Sequence, residues 1–227
     1  EAAALLRNTL MHAQAAMGPS HATTMQIHHD LGDALARSGR FDEAETVFLE
    51  AYERRRDALG PASGPARRSL QGVADVRLAQ GDAPGAARAY AQLVDLARNA
   101  QPPDDPGLIM AANALATALQ QAADPVRAAH ALAEALHAST RVYGRAHATT
   151  LTLRHNLASA AMQAADAETA LRVLRDGEPD AREAWAADPA RLASYLDRLA
   201  AAFHALGRED EARTYAREAQ TLREPGR

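Results

Sequence analysis

The sequence contains no cysteine and no lysine. The first absence excludes disulfides, thiol nucleophiles and cysteine-ligated zinc. All 25 basic residues are arginine, which excludes Schiff-base chemistry and the lysine of a phosphate-binding loop. Aromatic residues make up only 4% of the chain, and no segment resembles a signal peptide or a spanning helix. A glycine-rich phosphate loop is missing, and no serine stands in a nucleophile elbow or a similar setting. With a net charge of −4 and an isoelectric point near 6.1, nucleic acid is not expected as a partner. A membrane partner is not expected either, and the chain is expected to be cytoplasmic.

What the sequence does have is alanine and a period. Within 21–63, Leu31-Gly32 falls in one apolar-periodic segment, Gly39 ends it, and Ala44, Phe48 and Ala51 stripe the next at helical spacing. Steps of 42 carry Leu31 to Val73, Leu115, Leu157 and Leu199, and Gly32 to Ala74, Ala116, Ala158 and Ala200. The same steps carry Gly39 to Gly81, Ala123, Ala165 and Gly207, and Ala44 to Ala86, Ala128, Ala170 and Ala212. A period of this length marks a solenoid of supersecondary units. Small residues let two antiparallel helices approach, and glycine or alanine in the Gly39 column permits the reversal, glycine because it enters left-handed conformations at little steric cost. A single hairpin cannot bury both of its apolar sides, so neighbours must stack.

The spacing Leu31-Gly32, Leu35, Gly39, Ala44, Phe48, Ala51 resembles the tetratricopeptide pattern, lengthened by eight residues from its usual 34. The openings His21-Ala22-Thr23-Thr24-Met25 and His147-Ala148-Thr149-Thr150-Leu151, with closing Gly18, Gly60 and Gly144, are similar to the kinesin-light-chain class of these repeats. The resemblance covers essentially the whole chain. It implies an all-α, right-handed superhelical solenoid of antiparallel helix pairs. Together with the arginine and alanine bias, it points to a bacterial source.

In chain order, the expected array is one domain over 1–227: a half repeat at 1–17, then pairs at 22–59, 64–99, 106–143, 148–187 and 189–222. The half repeat is expected to have been cut from a longer protein, or to follow a start that is disordered or removed. Thr23 or Thr24 is expected to cap the first helix of its pair, and Asp42 the second, with Glu45 completing a capping box. The Arg54-Arg55-Arg56 run is expected to be solvated rather than to bind phosphate. Arg77 stands where a large apolar residue is expected, and Leu78 is expected to take that role. Gln101-Pro102-Pro103-Asp104-Asp105-Pro106 is expected to be an ordinary inter-repeat loop. Gly177-Glu178-Pro179 predicts a break or kink, with Asp180–Ala187 a separate short helix and Trp185 filling the gap left by the distortion. The last helix, dense in Arg and Glu, is expected to cover the array end and to lie near the natural C-terminus.

The resemblance also implies that the first helix of each pair lines a concave groove for peptides or partner helices. By register, that groove takes Gln26, His29, Asp30 and Asp33 from the first pair and Arg68, Gln71 and Asp75 from the second. Asn113, Thr117 and Gln120 follow, then Thr152, His155, Asn156 and Ser159, then Ser194, Asp197 and Arg198. Paired asparagines before Leu-Ala are a feature of the kinesin-light-chain class. Here Asn156 keeps the second and Asn113 the first, and an amide both donates to and accepts from an extended backbone. Groove charges are mixed, so an acidic peptide is not expected. The nine histidines are not expected to give the i, i+4 pair with a carboxylate of helical zinc sites, and neither metal nor cofactor is expected. The expectation is a non-catalytic interaction scaffold, the regulatory region of a larger bacterial signalling protein. The alternatives are an assembly element forming a homodimer through its repeat ends, or an enzyme with an unrecognised site that would use His155.

Overall fold

The computed structural model describes residues 1–100 and 105–223, and for Asp105 only the backbone. Most of the proline-rich join, 101–104, lies outside the described residues. Among them the secondary structure is helical throughout. The helices are α1 (Ala2–Met17), α2 (Ala22–Arg37), α3 (Phe41–Leu59), α4 (Gly64–Ala79), α5 (Ala83–Arg98), α6 (Asp105–Gln121), α7 (Pro125–Tyr143), α8 (Ala148–Gln163), α9 (Ala167–Ala184), α10 (Pro189–Ala205) and α11 (Glu209–Arg223). They fall into two compact units, Glu1–Gly107 and Leu108–Arg227, described in turn.

Each hairpin turn is built the same way. Gly39, Gly81, Ala123, Ala165 and Gly207 all have positive φ, between 57° and 85°. The next residue donates its N–H five residues back: Arg40 to Leu35, Asp82 to Arg77, Asp124 to Leu119, Asp166 to Ala161 and Arg208 to Phe203, at 2.8–3.0 Å. This is the Schellman closure, which satisfies carbonyls that a helix end leaves orphaned. The same residue then starts the next helix. Asp82, Asp124 and Asp166 cap it through Oδ1, at 2.9, 3.1 and 2.9 Å from the N–H three residues on. Arg40 and Arg208 instead grip Glu43 and Glu211, Nε to Oε1 at 2.7 and 2.9 Å. Capping by Asp42 is thus corrected: α3 begins at Phe41, which puts Asp42 inside the first turn. Capping by Thr23 or Thr24 is corrected too. His21 caps α2 through Nδ1, as His147 caps α8, while Thr24 and Thr150 are buried and bond the carbonyls of Ala13 and Gly144.

In the first unit the core gathers Leu10, Leu31, Leu35, Ala44, Phe48 and Val73. The Phe48 ring is wedged between two glycines: a Cβ on Gly32 or on Gly72 would sit 2.7 Å from it. Arg55 is among the largest fully buried side chains, so the solvated arginine run is corrected at its middle member. Its guanidinium donates to Met25 O (2.9 Å), Gln26 Oε1 (3.1 Å), Pro65 O (3.2 Å) and Ser69 Oγ (2.8 Å), tying α2 to α4. Arg77 bonds Glu45 at 2.8 Å, and Val76 rather than Leu78 is the buried neighbour.

In the second unit the core centres on Leu151, Leu174, Tyr195, Leu196, Leu199 and Phe203. The break at Pro179 is corrected, since α9 runs through it from Ala167 to Ala184. Proline removes one ladder donor and crowds the preceding turn. The carbonyl it leaves without a ladder donor is that of Arg175, and side chains bond carbonyls on either side of it: Arg154 Nη1 donates to Val173 O (3.2 Å), the Tyr195 hydroxyl to Leu174 O (2.6 Å) and Arg145 Nη2 to Asp176 O (2.6 Å). Trp185 ends this helix and meets Tyr195 edge-on, with ring centroids 5.8 Å apart. None of the described helices is long and apolar enough to cross a membrane.

Candidate functional site

First helices of successive pairs touch directly within each unit, α2 with α4 and α8 with α10. In the first unit this face holds a cavity of about 190 Å³ over Phe48, lined by Asp33, Arg37, Gly72, Asp75 and Val76 among others. The counterparts Asp33 and Asp75, one period apart, differ in partner. The Tyr90 hydroxyl donates to Asp75, whereas Asp33 stands 3.9 Å from His29 Nε2. The latter is an i, i+4 histidine–carboxylate pair, contrary to expectation. Among the described residues, no third ligand joins it to make a metal-binding group. Burial lowers the pKa of His29 against the opposing pull of Asp33. Burial also raises Asp75, against the Tyr90 bond. Gln26 is exposed and bonds Asp30 at 2.7 Å as well as Arg55. Arg68 and Gln71 are exposed, but His29 is buried, so only its edge could meet a ligand.

In the second unit, α6, α8 and α10 bring the other positions together. Gln120 reaches Gln163 on α8 at 3.4 Å. Arg198 Nε donates to His155 Nε2 at 2.7 Å, which requires a neutral imidazole. Burial, then the Arg198 charge, pushes His155 down to about 4. Arg223 pairs with Asp197. Thr117 and Thr152 are exposed, yet their hydroxyls bond back to Asn113 O and Ala148 O in their own helices. Ser194 is exposed and Ser159 half-buried. Asn113 and Asn156 are half-buried, and their side-chain amides make no hydrogen bond to any described residue. The first helices therefore offer two unengaged amides, Asn156 next in sequence to a neutral, arginine-held histidine and Asn113 one period before that histidine. Arg55, which fixes Gln26 and Met25 from behind this face, escaped the sequence reading. Its column reads Ala13, Arg55, Ala97, Ser139, Ala181 and Arg223, so the signal was an arginine set among small residues inside the array.

Tetratricopeptide repeat family profiles match residues 1–57 and 193–225. No curated protein matches the sequence. Among solved structures, the chain is similar to kinesin-light-chain TPR-like repeats of Podosopora anserina, at 18% identity and TM-score 0.72, over 89% of this chain and 96% of that one. It is also similar to BtubC (BKLC) of P. vanneervenii, at 19% identity and TM-score 0.71, over 97% and 89%. YrrB, described as a TPR protein with an unusual peptide-binding site, aligns at 12% identity and TM-score 0.63, over 96% and 93%.

Proposed function

We propose that this chain, which carries tetratricopeptide repeats, is a non-catalytic scaffold that binds an extended peptide or partner helix along the face of its first helices. The observation that carries the reading is the two unengaged, half-buried amides at Asn113 on α6 and Asn156 on α8, the second next in sequence to His155 of the His155–Arg198 pair. An amide donates and accepts at once, so it holds a peptide backbone whatever the side chains are. The fold likeness to YrrB, itself described with a peptide-binding site, supports this use of the repeats. A role as the interaction region of a larger bacterial signalling protein fits the same reading. The test is selection from a displayed random-peptide library, followed by titration of the selected peptides against Asn113→Ala/Asn156→Ala. The double variant should lose about tenfold or more in affinity with helicity unchanged. Undiminished affinity would remove the first-helix face from the account.

A second reading, self-association through the first helix, is favoured by one observation: Leu5 and Met11 on α1 are 67% and 59% exposed. Light scattering of Leu5→Glu/Met11→Glu tests it. A concentration-dependent dimer lost in the variant supports the reading, and a monomeric parent removes it.

A further inference from the structure

A large cavity of the second unit lies on the other side of α8, away from the amides. It is a groove of about 930 Å³ between α7 and α9, with α8 as its floor. Ala129, Ala133 and Leu136 form one wall, Leu157 and Ala161 the floor, and Val173 part of the other wall. Along α7 the lining runs from Val126 to Thr140, a length of roughly 21 Å.

Two equivalent grooves, one in each unit, are crossed by the protein's own side chains. Between α3 and α5, over α4, Arg77 bonds Glu45 at 2.8 Å and Gln92 bonds the Tyr52 hydroxyl at 2.9 Å. Two periods on, Glu45 becomes Ala129, Arg77 becomes Ala161 and Leu49 becomes Ala133. Between α9 and α11, over α10, Phe203 takes the place of Ala161, and Arg175 that of Ala133, with its guanidinium 6.0 Å from the ring centroid. Arg182 bridges Glu178 and Glu218 there, at 2.8 and 3.0 Å. Three alanines thus leave open, at this groove, what those two grooves close.

The chemistry at the groove is lopsided. Four arginines (141, 145, 154 and 172) line it against two aspartates (166 and 176). Arg154 is only 3% exposed and stands in a column that holds leucine at positions 70 and 196. Its Nη1 bonds Val173 O and, at 2.6 Å, Asp176 Oδ2, while its buried Nε has no partner. Arg145 bonds the same Asp176 carboxylate at 3.2 Å and, through Nε, the Asp180 carboxylate at 3.2 Å, so the two guanidinium groups share Asp176 and Arg145 holds a second carboxylate as well. A buried donor left unpaired costs free energy that a bound acceptor can recover. An apolar trough lined by more arginines than carboxylates suits a ligand with a hydrocarbon body and an anionic head.

We propose that the α7–α9 groove is a binding site for an aliphatic carboxylate, its chain lying on Ala129, Ala133 and Ala161 and its carboxylate meeting Arg145 and Arg154. The test is isothermal titration of the full chain with decanoate, decan-1-ol and decyltrimethylammonium, with amide NMR shifts to locate binding. Decanoate should bind saturably and shift the Ala129 and Ala161 resonances. The alcohol should bind at least tenfold more weakly, and the cation should not bind. Ala129→Glu/Ala161→Arg, which copies the Glu45–Arg77 pair, should reduce decanoate affinity at least tenfold; Ala133→Leu, which copies Leu49, is the second filling variant should the first misfold. Arg145→Gln should bring decanoate affinity down towards that of the alcohol. Absence of saturable decanoate binding, equal binding of all three probes, or undiminished binding by a folded filled variant would each overturn the proposal.

Discussion

Replacing glycine by alanine inside a helix ordinarily stabilises a protein by about 1 kcal/mol. Gly177 lies within α9, two residues before Pro179, and the opposite sign is expected there. A Cβ at this position would stand 2.4 Å from Arg154 Cδ, 2.8 Å from Arg154 Nε and 2.8 Å from the Tyr195 hydroxyl. None of these neighbours is free to give way. Arg154 is buried and pinned by two Nη1 bonds, and the Tyr195 hydroxyl is fixed 2.6 Å from Leu174 O. Overpacking of this kind costs about 1–3 kcal/mol. Displacing the tyrosine leaves a buried hydroxyl and carbonyl unpaired, at a further cost of about 1–3 kcal/mol. Against the propensity gain, Gly177→Ala should be destabilising by about 2 kcal/mol, or about 4–8 °C in melting temperature for a chain of this size. The assay is urea unfolding followed by circular dichroism, with Gly64→Ala as reference. Gly64 begins α4, and a Cβ there has nothing within 4 Å. The reference should be neutral or slightly stabilising. A Gly177→Ala protein as stable as its parent would refute the packing argument and, with it, the explanation of how α9 continues through proline.

The turn columns yield an opposed pair of expectations. Ala165 has φ 59°, a strain of about 1 kcal/mol that glycine relieves in part, so Ala165→Gly should stabilise by about 0.5 kcal/mol in thermal melts. Gly60, at φ 86° and ψ 154°, occupies a region open essentially to glycine alone, so Gly60→Ala should cost about 1–3 kcal/mol in the same assay. The His155 pKa, lowered to about 4 by burial and then by Arg198, makes stability pH-dependent. The unfolded chain takes up the proton first, so stability is complete above about pH 6.5 and falls as the pH drops towards 4. His28 and His29, both lowered chiefly by burial, act in the same direction. Urea midpoints from pH 7 to 4.5 should fall steadily, less so in His155→Gln, and an NMR midpoint for His155 at or above 6.5 would contradict the assignment.

The period of 42 made the hairpins legible because each packing contact recurs with it. A residue type that recurs in five places, such as the small residue of the Gly39 column, is under one geometric demand, and the structure shows it to be a left-handed turn even where the residue is alanine. Features that occur once were not legible. Arg55 and Arg154 are flanked one period away on each side by small or apolar residues, Ala13 and Ala97 for the first and Ala112 and Leu196 for the second, and what makes their burial tolerable lies on other elements. Met25 and Ser69 satisfy the first, and Val173 and Asp176 the second. The Pro179 helix misled for the same reason: local propensity argues for a break, while three donors from other segments hold the turn together. On the first-helix face, register gives a set of positions but not each side chain's state. Sequence alone did not show that His29 is buried or that Arg198 is bonded to His155.

The central claim is that the first-helix face is where a peptide binds. It is tested most directly by photo-crosslinking a library-selected peptide to the protein, with the photoreactive residue placed either at Thr152, exposed on α8 beside the amides, or at Val126, exposed on α7. The account predicts crosslinking from Thr152, its loss in Asn113→Ala/Asn156→Ala, and none from Val126. Crosslinking from Val126 alone would contradict it and move recognition to the other side of α8.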